Sequence, residues 1–403
     1  MRAWDGGIKD PGDGVTVLRR DGLLGGRWGM ALLLATSATA AMSQLSTEDH
    51  LAEPGFWPTR DEPSREGFIG TEACATCHGT KVATQKETPM AQTLMPAAAA
   101  DILRAHPLLT FRVGRFEYQI QSGPRQSAYS ASDGGRTLMY PLAWAFGTGR
   151  VAQSYLFRKE DGGTFESRVS YFTHLGKIDF TPARTLLSPA SLEEAMYRPV
   201  PSGEMQRCFA CHSTASTIAG KFDERQMTPG VTCEACHGPG AAHVRAMDNP
   251  ASSKSTAMKP SIFNSAHLSP SDAVDFCGAC HGTWWDVKLA GVHGASTTRS
   301  APYRLVTSKC WGAKGDVRLT CTACHDPHRQ LETATVEYDR KCVACHANSP
   351  NAKPASSQPG RACPKAGSNC TSCHMPKVNV PEMHADFTDH RIRIVKPGEA
   401  FPE

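Results

Sequence analysis

The sequence predicts a mostly irregular and α-helical chain whose short helices pack on covalently attached groups, with a small β-rich insertion near residues 107–182. Three observations predict it: a five-residue motif present in seven copies, the close spacing of six of those copies, and an alternating apolar stretch between the first two.

The motif is Cys-x-x-Cys-His. Its copies are Cys74, Cys77, His78; Cys208, Cys211, His212; Cys233, Cys236, His237; Cys277, Cys280, His281; Cys321, Cys324, His325; Cys342, Cys345, His346; and Cys370, Cys373, His374. Such a spacing lets one short turn do two jobs. The paired thiols add to the vinyl groups of haem c, and the adjoining His turns onto the iron as its proximal ligand. Seven copies among 16 Cys and 16 His in 403 residues are not a chance pattern. Zinc also takes paired Cys-x-x-Cys, but it needs two pairs per ion and no His immediately after each. Seven covalently bound haem c groups are therefore expected, using all but two of the cysteines, Cys310 and Cys363.

Spacing divides the chain. Between Cys77 and Cys208 lie 130 residues without a motif, whereas the last six copies start 25, 44, 44, 21 and 28 residues apart. Intervals that short leave no room for a domain around each haem. One isolated haem and one dense array with a shared core are implied. The expected layout is a first haem module at 67–106, a β-rich segment at 107–200, a six-haem array at 201–395 and a tail at 396–403.

Within the β-rich segment, Phe111, Val113, Phe116, Tyr118 and Ile120 nearly alternate. Leu138 to Trp144, Ser154 to Phe157 and Arg168 to Phe172 also have strand composition. Gly-containing breaks at 132–135, 147–149 and 161–163 separate them. The segment reads as a lid over the first haem, with a partner-docking or gating module as the other reading. Ser191 and Ser271 open helix-like runs, the second leading into the fourth motif. Residues 251–259 and 351–360 read as loops.

The first 41 residues carry Arg19, Arg20 and Arg27, an apolar run from Met30 to Ala35, and small residues ending Ala38-Thr39-Ala40. This is the pattern of a secretory signal peptide, followed by a flexible segment at 42–66. The apolar run falls short of the ~20 residues a membrane span needs, and no later segment reaches that length. An exported, periplasmic protein without a transmembrane span in its mature chain is expected. The formal charge of +4 falls to +3 without residues 1–41, which hold five basic and four acidic residues. Haem propionates lower it further, so the mild basicity is no argument for nucleic-acid binding.

The stretches CEACHGPGAAH (233–243), CTACHDPH (321–328), and CTSCHMPK followed by His384 and FTDHRI (387–392) resemble the multihaem cytochromes c related to the tetrahaem electron carrier of hydroxylamine oxidoreductase. Gly147-x-Gly149 with Gln153-Ser-Tyr-Leu156 is similar to exported members. The resemblance covers residues 67–395. It implies His243 and His328 as distal iron ligands, His384 and His390 as a C-terminal ligand pair, and Met90 opposite His78 on the first haem. For that first haem, His106 and His174 remain the alternatives to Met90. His267 and His293 flank the fourth motif and are further candidates. His50 reads as a solvated residue.

Cys310 and Cys363 read either as a disulfide between the loops before the fifth and seventh motifs or as free thiols. Two functions follow. One is an electron carrier with every iron six-coordinate, working between a redox protein or quinol-linked donor and an acceptor. The other is a multihaem oxidoreductase with one open haem acting on a small nitrogen or sulfur compound, with Arg207 or Lys341 available beside a motif. Self-association into a haem filament is a third arrangement.

Overall fold

The computed structural model describes residues 64–182, 189–248, 262–308, 310–311, 319–346, 368–396 and 398–402. The expected signal segment, His50, Cys363 and the loops at 251–259 and 351–360 lie outside the described residues.

The alternating stretch folds as strands, and the strands make much more than a small insertion. They are β1 (Leu94–Pro96), β2 (Leu108–Val113), β3 (Phe116–Ser122), β4 (Ser127–Ser132), β5 (Thr137–Phe146), β6 (Ala152–Arg158), β7 (Thr164–Ser167), β8 (Val169–Phe172), β9 (Lys177–Phe180) and β10 (Tyr197–Pro199). All ten join one antiparallel sheet in the order β10-β7-β6-β5-β4-β3-β2, with β1 on β5 and β8 between β6 and β9. The expectation of a mostly irregular and helical fold packed on haems is overturned by this sheet.

Two physical reasons account for the difference. The ten-residue β5 is long enough to pair β4 through its first half and β1 through its second, recruiting a three-residue strand from before the alternating stretch. The second reason is that the chain's few aromatic residues are concentrated here. Tyr118, Tyr129, Tyr155 and Phe157 are fully buried beside Ile120, Ile178 and Leu192. Rings of this kind contribute about 1.5–3 kcal/mol each. This half therefore holds a side-chain core of its own.

Short helices follow. Ser191 caps the helix Leu192–Met196 by accepting from Glu194 N, as its sequence suggests. The helix into the fourth motif, Pro270–His281, is capped by Ser269 rather than Ser271, with Pro270 in its first turn. After the last motif, Lys377–Val380 and Ala385–Thr388 form a two-stranded hairpin.

Candidate functional site

Each motif forms the end of a helix or a turn within one. The helices Ser202–His212, Cys233–His237, Pro270–His281, Thr335–His346 and Cys370–His374 all stop at the motif His. Cys321–Cys324 stops one residue earlier, and Gly70–Lys86 is kinked at His78 (φ −113°, ψ 32°). On one helical turn the two Cys, three apart, share a face with the His that follows. Gly238 (φ 73°) and Gly282 (φ 83°) then end two of these helices in a conformation that suits glycine.

Contacts between motifs bring the first one, isolated in sequence, into the array. The Glu234 carboxylate, 3% exposed, accepts from Ile69 N, Gly70 N and Gly240 N, each at 2.9 Å. It thereby caps the helix of the first motif from inside the third. Asp339 repeats the device: from the helix of the sixth motif it accepts from Asn369 N and Cys370 N at 2.7 and 2.8 Å, at the start of the seventh. The thiols continue the series. Cys74 meets Cys233, Cys211 meets Cys280, Cys277 meets Cys321, and Cys342 meets Cys370.

The β-sheet lies against the second motif. Phe209, fully buried between Cys208 and Ala210, meets Trp144 and Phe146 of β5 edge-on with centroids 5.9 and 5.3 Å apart. Gly230 (φ 81°) carries the chain so close to Ala91 that any Cβ would overlap the Ala91 carbonyl. Its neighbour Val231 donates to Met90 O.

One cavity of about 3300 Å³ runs through the motif region, several times the roughly 300–1,000 Å³ of a small-molecule pocket. His78, His212, His237, His281, His325 and His346 all line it. Three of these rings face a second His: His78 and His243 (centroids 6.4 Å apart, planes 22°), His237 and His328 (6.0 Å, 8°), and His325 and His390 (6.2 Å, 46°). Two metal–imidazole bonds of about 2.0–2.1 Å, plus the half-width of each ring, put centroids roughly 6 Å apart. The pairs thus fit one iron each.

Hydrogen bonds leave the right nitrogen free. Nδ1 of His237 bonds Phe263 O (2.9 Å), that of His374 bonds Arg393 O (2.8 Å), and that of His390 bonds Thr388 O (3.0 Å). His212 Nδ1 contacts Thr93 Oγ1 at 2.7 Å. Such a bond fixes the tautomer and leaves Nε2 as the donor to a metal. Burial lowers the pKa of His212, His281, His325, His328 and His390, holding them neutral as ligands must be. Burial also pushes the Cys236 thiol up to about 11.

The other candidates fall elsewhere. Met90 lines the cavity, but the ring opposite His78 belongs to His243. His384, in left-handed backbone (φ 49°), points Nε2 at Asp179 Oδ2 (3.3 Å) and packs edge-on against Phe172. His267 and His293 are exposed. His106 bonds Ile102 O and lies against Tyr171 with its ring tilted, inside the sheet half. Cys310 lines the cavity beside Trp311, and the Cys363 end of the expected disulfide is outside the described residues. Glu234 was missed by sequence reasoning, although its signal was present. It is the one charged residue between the paired cysteines of any copy of the motif.

The family model described as cytochrome c554 and c-prime matches residues 183–238, the stretch that holds the second and third motifs. These findings support a multihaem c-type cytochrome. A crystal structure of the outer cell wall cytochrome OcwA aligns over 82% of this chain and 80% of its own, with 14% identity and a TM-score of 0.47. A likeness that loose transfers neither ligands nor function. No curated protein matches the chain. Among the described residues, no helix is long and apolar enough to cross a membrane.

Proposed function

We propose that the chain is an exported heptahaem c-type cytochrome that carries electrons along a closely packed series of centres between redox partners. The observation that carries this reading is the set of three opposed His pairs in one cavity. An iron held by two imidazoles has no position left for a substrate, so electron exchange is the chemistry that remains to it.

In this reading the paired cysteines of all seven motifs attach haem, and His78, His212, His237, His281, His325, His346 and His374 are the proximal ligands. His243, His328 and His390 are the distal ligands of the first, third and fifth centres, with His243 taking the place given above to Met90. When bound, haem supplies one-electron exchange at its iron. The chain sets the order of the centres through its sulfurs: thiols touch from first to third at Cys74–Cys233, fourth to fifth at Cys277–Cys321 and sixth to seventh at Cys342–Cys370, while Cys236 with Cys277 and Cys324 with Cys342 lie within electrostatic reach and link third to fourth and fifth to sixth. The second joins as a branch at the fourth through Cys211–Cys280. The signal-like first 41 residues support export to the periplasm. A redox protein or quinol-linked donor would feed the series, and a second redox protein would drain it. The resemblance to the carrier of hydroxylamine oxidoreductase fits this role.

The oxidoreductase reading needs one centre with an open sixth position, and we take the second as its candidate because the apolar ring of Phe146 packs against His212 with centroids 5.1 Å apart. The carbon monoxide difference spectrum of the dithionite-reduced protein separates the two readings, because carbon monoxide takes only an open or weakly held sixth position. The carrier predicts seven haems by pyridine haemochrome and no shift. A shift of about one haem in seven, abolished by removing the second motif's cysteines, would replace the carrier with the oxidoreductase.

A further inference from the structure

The C-terminal run from Phe387 to Arg393 is fastened by a buried charge cluster that ligand spacing does not require. Arg304 and Asp389 are both 0% exposed. Arg304 Nε and Nη2 donate to the two Asp389 carboxylate oxygens at 2.8 and 2.9 Å, and its Nη1 donates to Pro402 O at 2.8 Å. Phe401 lies against its guanidinium at 4.6 Å. The carboxylate also accepts from Arg393 Nη1 at 2.6 Å and from Arg391 N at 3.0 Å. A pair of charges this deep costs desolvation on both sides, and apolar residues fill a core at lower cost. Its geometry points to a task other than filling.

The residue after Asp389 is His390, whose ring faces His325. Its backbone is held on both sides from one place. Arg304 lies on the helix Ala301–Val306, and Ser308 follows that helix. Ser308 Oγ donates to His390 O at 3.2 Å and accepts from Ile392 N at 2.8 Å. Beyond His390 the run is tied to the seventh motif. His374 Nδ1 bonds Arg393 O at 2.8 Å, and Arg393 N donates to His374 O at 3.2 Å.

We infer that Arg304 is a positioning residue: through Asp389 it holds His390 against His325, and through Arg393 it locks that pair to the seventh motif. The inference rests on the reading of His325 and His390 as the ligands of one iron. Arginine suits the task because its planar fork grips both carboxylate oxygens at once, whereas lysine offers one point of charge.

The test uses the full, haem-loaded protein, read by carbon monoxide binding after reduction and by potentiometric titration, with haem content measured in parallel. His390→Ala should expose one haem in seven to carbon monoxide. Arg304→Gln should expose that same haem with haem content unchanged and shift the potential of one component. The double variant should bind no more carbon monoxide than His390→Ala alone. Arg304→Lys should lie between Arg304→Gln and the parent. If His390→Ala binds no carbon monoxide, the ligand reading is wrong. If His390→Ala binds it and Arg304→Gln does not, the ligand reading stands and the positioning role is lost. Should Arg304→Gln yield no folded protein, Ser308→Ala removes the second anchor and decides the matter the same way, a carbon monoxide-silent variant overturning the inference.

Discussion

Glu234 shows how one side chain joins two parts of this chain that are more than 150 residues apart in sequence. The first turn of a helix leaves N–H groups without partners, and a carboxylate placed there satisfies them and complements the helix dipole. Glu234 does this for Ile69 and Gly70 while also bonding Gly240 within its own segment. Hydrogen bonds to an ionised group contribute about 1.5–3 kcal/mol each, less what water recovers on removal. Glu234→Ala should therefore cost about 3 kcal/mol, read as a lower melting temperature followed at the haem absorption band. Glu234→Gln, which keeps an acceptor oxygen and loses the charge, should cost less. Equal melting temperatures for Glu234→Ala and the parent would mean that the first motif is held by its haem alone.

Among elements, the sheet and the motif helices meet at Phe209, which projects from the helix Ser202–His212 into Trp144, Phe146 and Phe222. Truncating a buried Phe to Ala costs about 3–5 kcal/mol. Phe209→Ala should destabilise the protein by that order and broaden the signal of the second haem, with the other centres little changed in a redox titration. An effect spread evenly over all centres would show that the sheet supports the whole array and not this motif. Much of this level was legible in the sequence. The motif turns follow from a three-residue cysteine spacing, and β2, β3, β5, β6 and β8 follow from alternation and glycine breaks. The size of the sheet was not legible, since β1 and β10 are three-residue strands whose conformation is set by the partners they pair with. The cap at Ser269 was missed by two residues because Ser269 and Ser271 both offer a hydroxyl, and Pro270 decides between them. The opposed histidines were the least legible from the residues alone: a motif His is fixed by its own motif, while His243 comes to face His78 only through the packing of separate helices, and His243, His328 and His390 were singled out by the resemblance.

Across the whole molecule, the order of motifs in space departs from their order in sequence. Thiol contacts place the first motif beside the third and both the second and the fifth beside the fourth, so the fourth is a junction, and we take the second as its branch. That arrangement makes the centres unequal, and the inequality can be measured in variants that each lack one haem. Removing the fourth motif's cysteines (Cys277→Ala with Cys280→Ala) should leave six haems and split the series, so that electrons injected by flash reduction redistribute in two phases. Removing those of the second (Cys208→Ala with Cys211→Ala) should also leave six haems, yet redistribution from the first centre to the seventh should keep a single phase. Both variants lose one haem, so any general damage from a missing haem is common to the pair. If the two slow redistribution alike, the branch is wrong, and the centres exchange electrons by a route that the thiol contacts do not define.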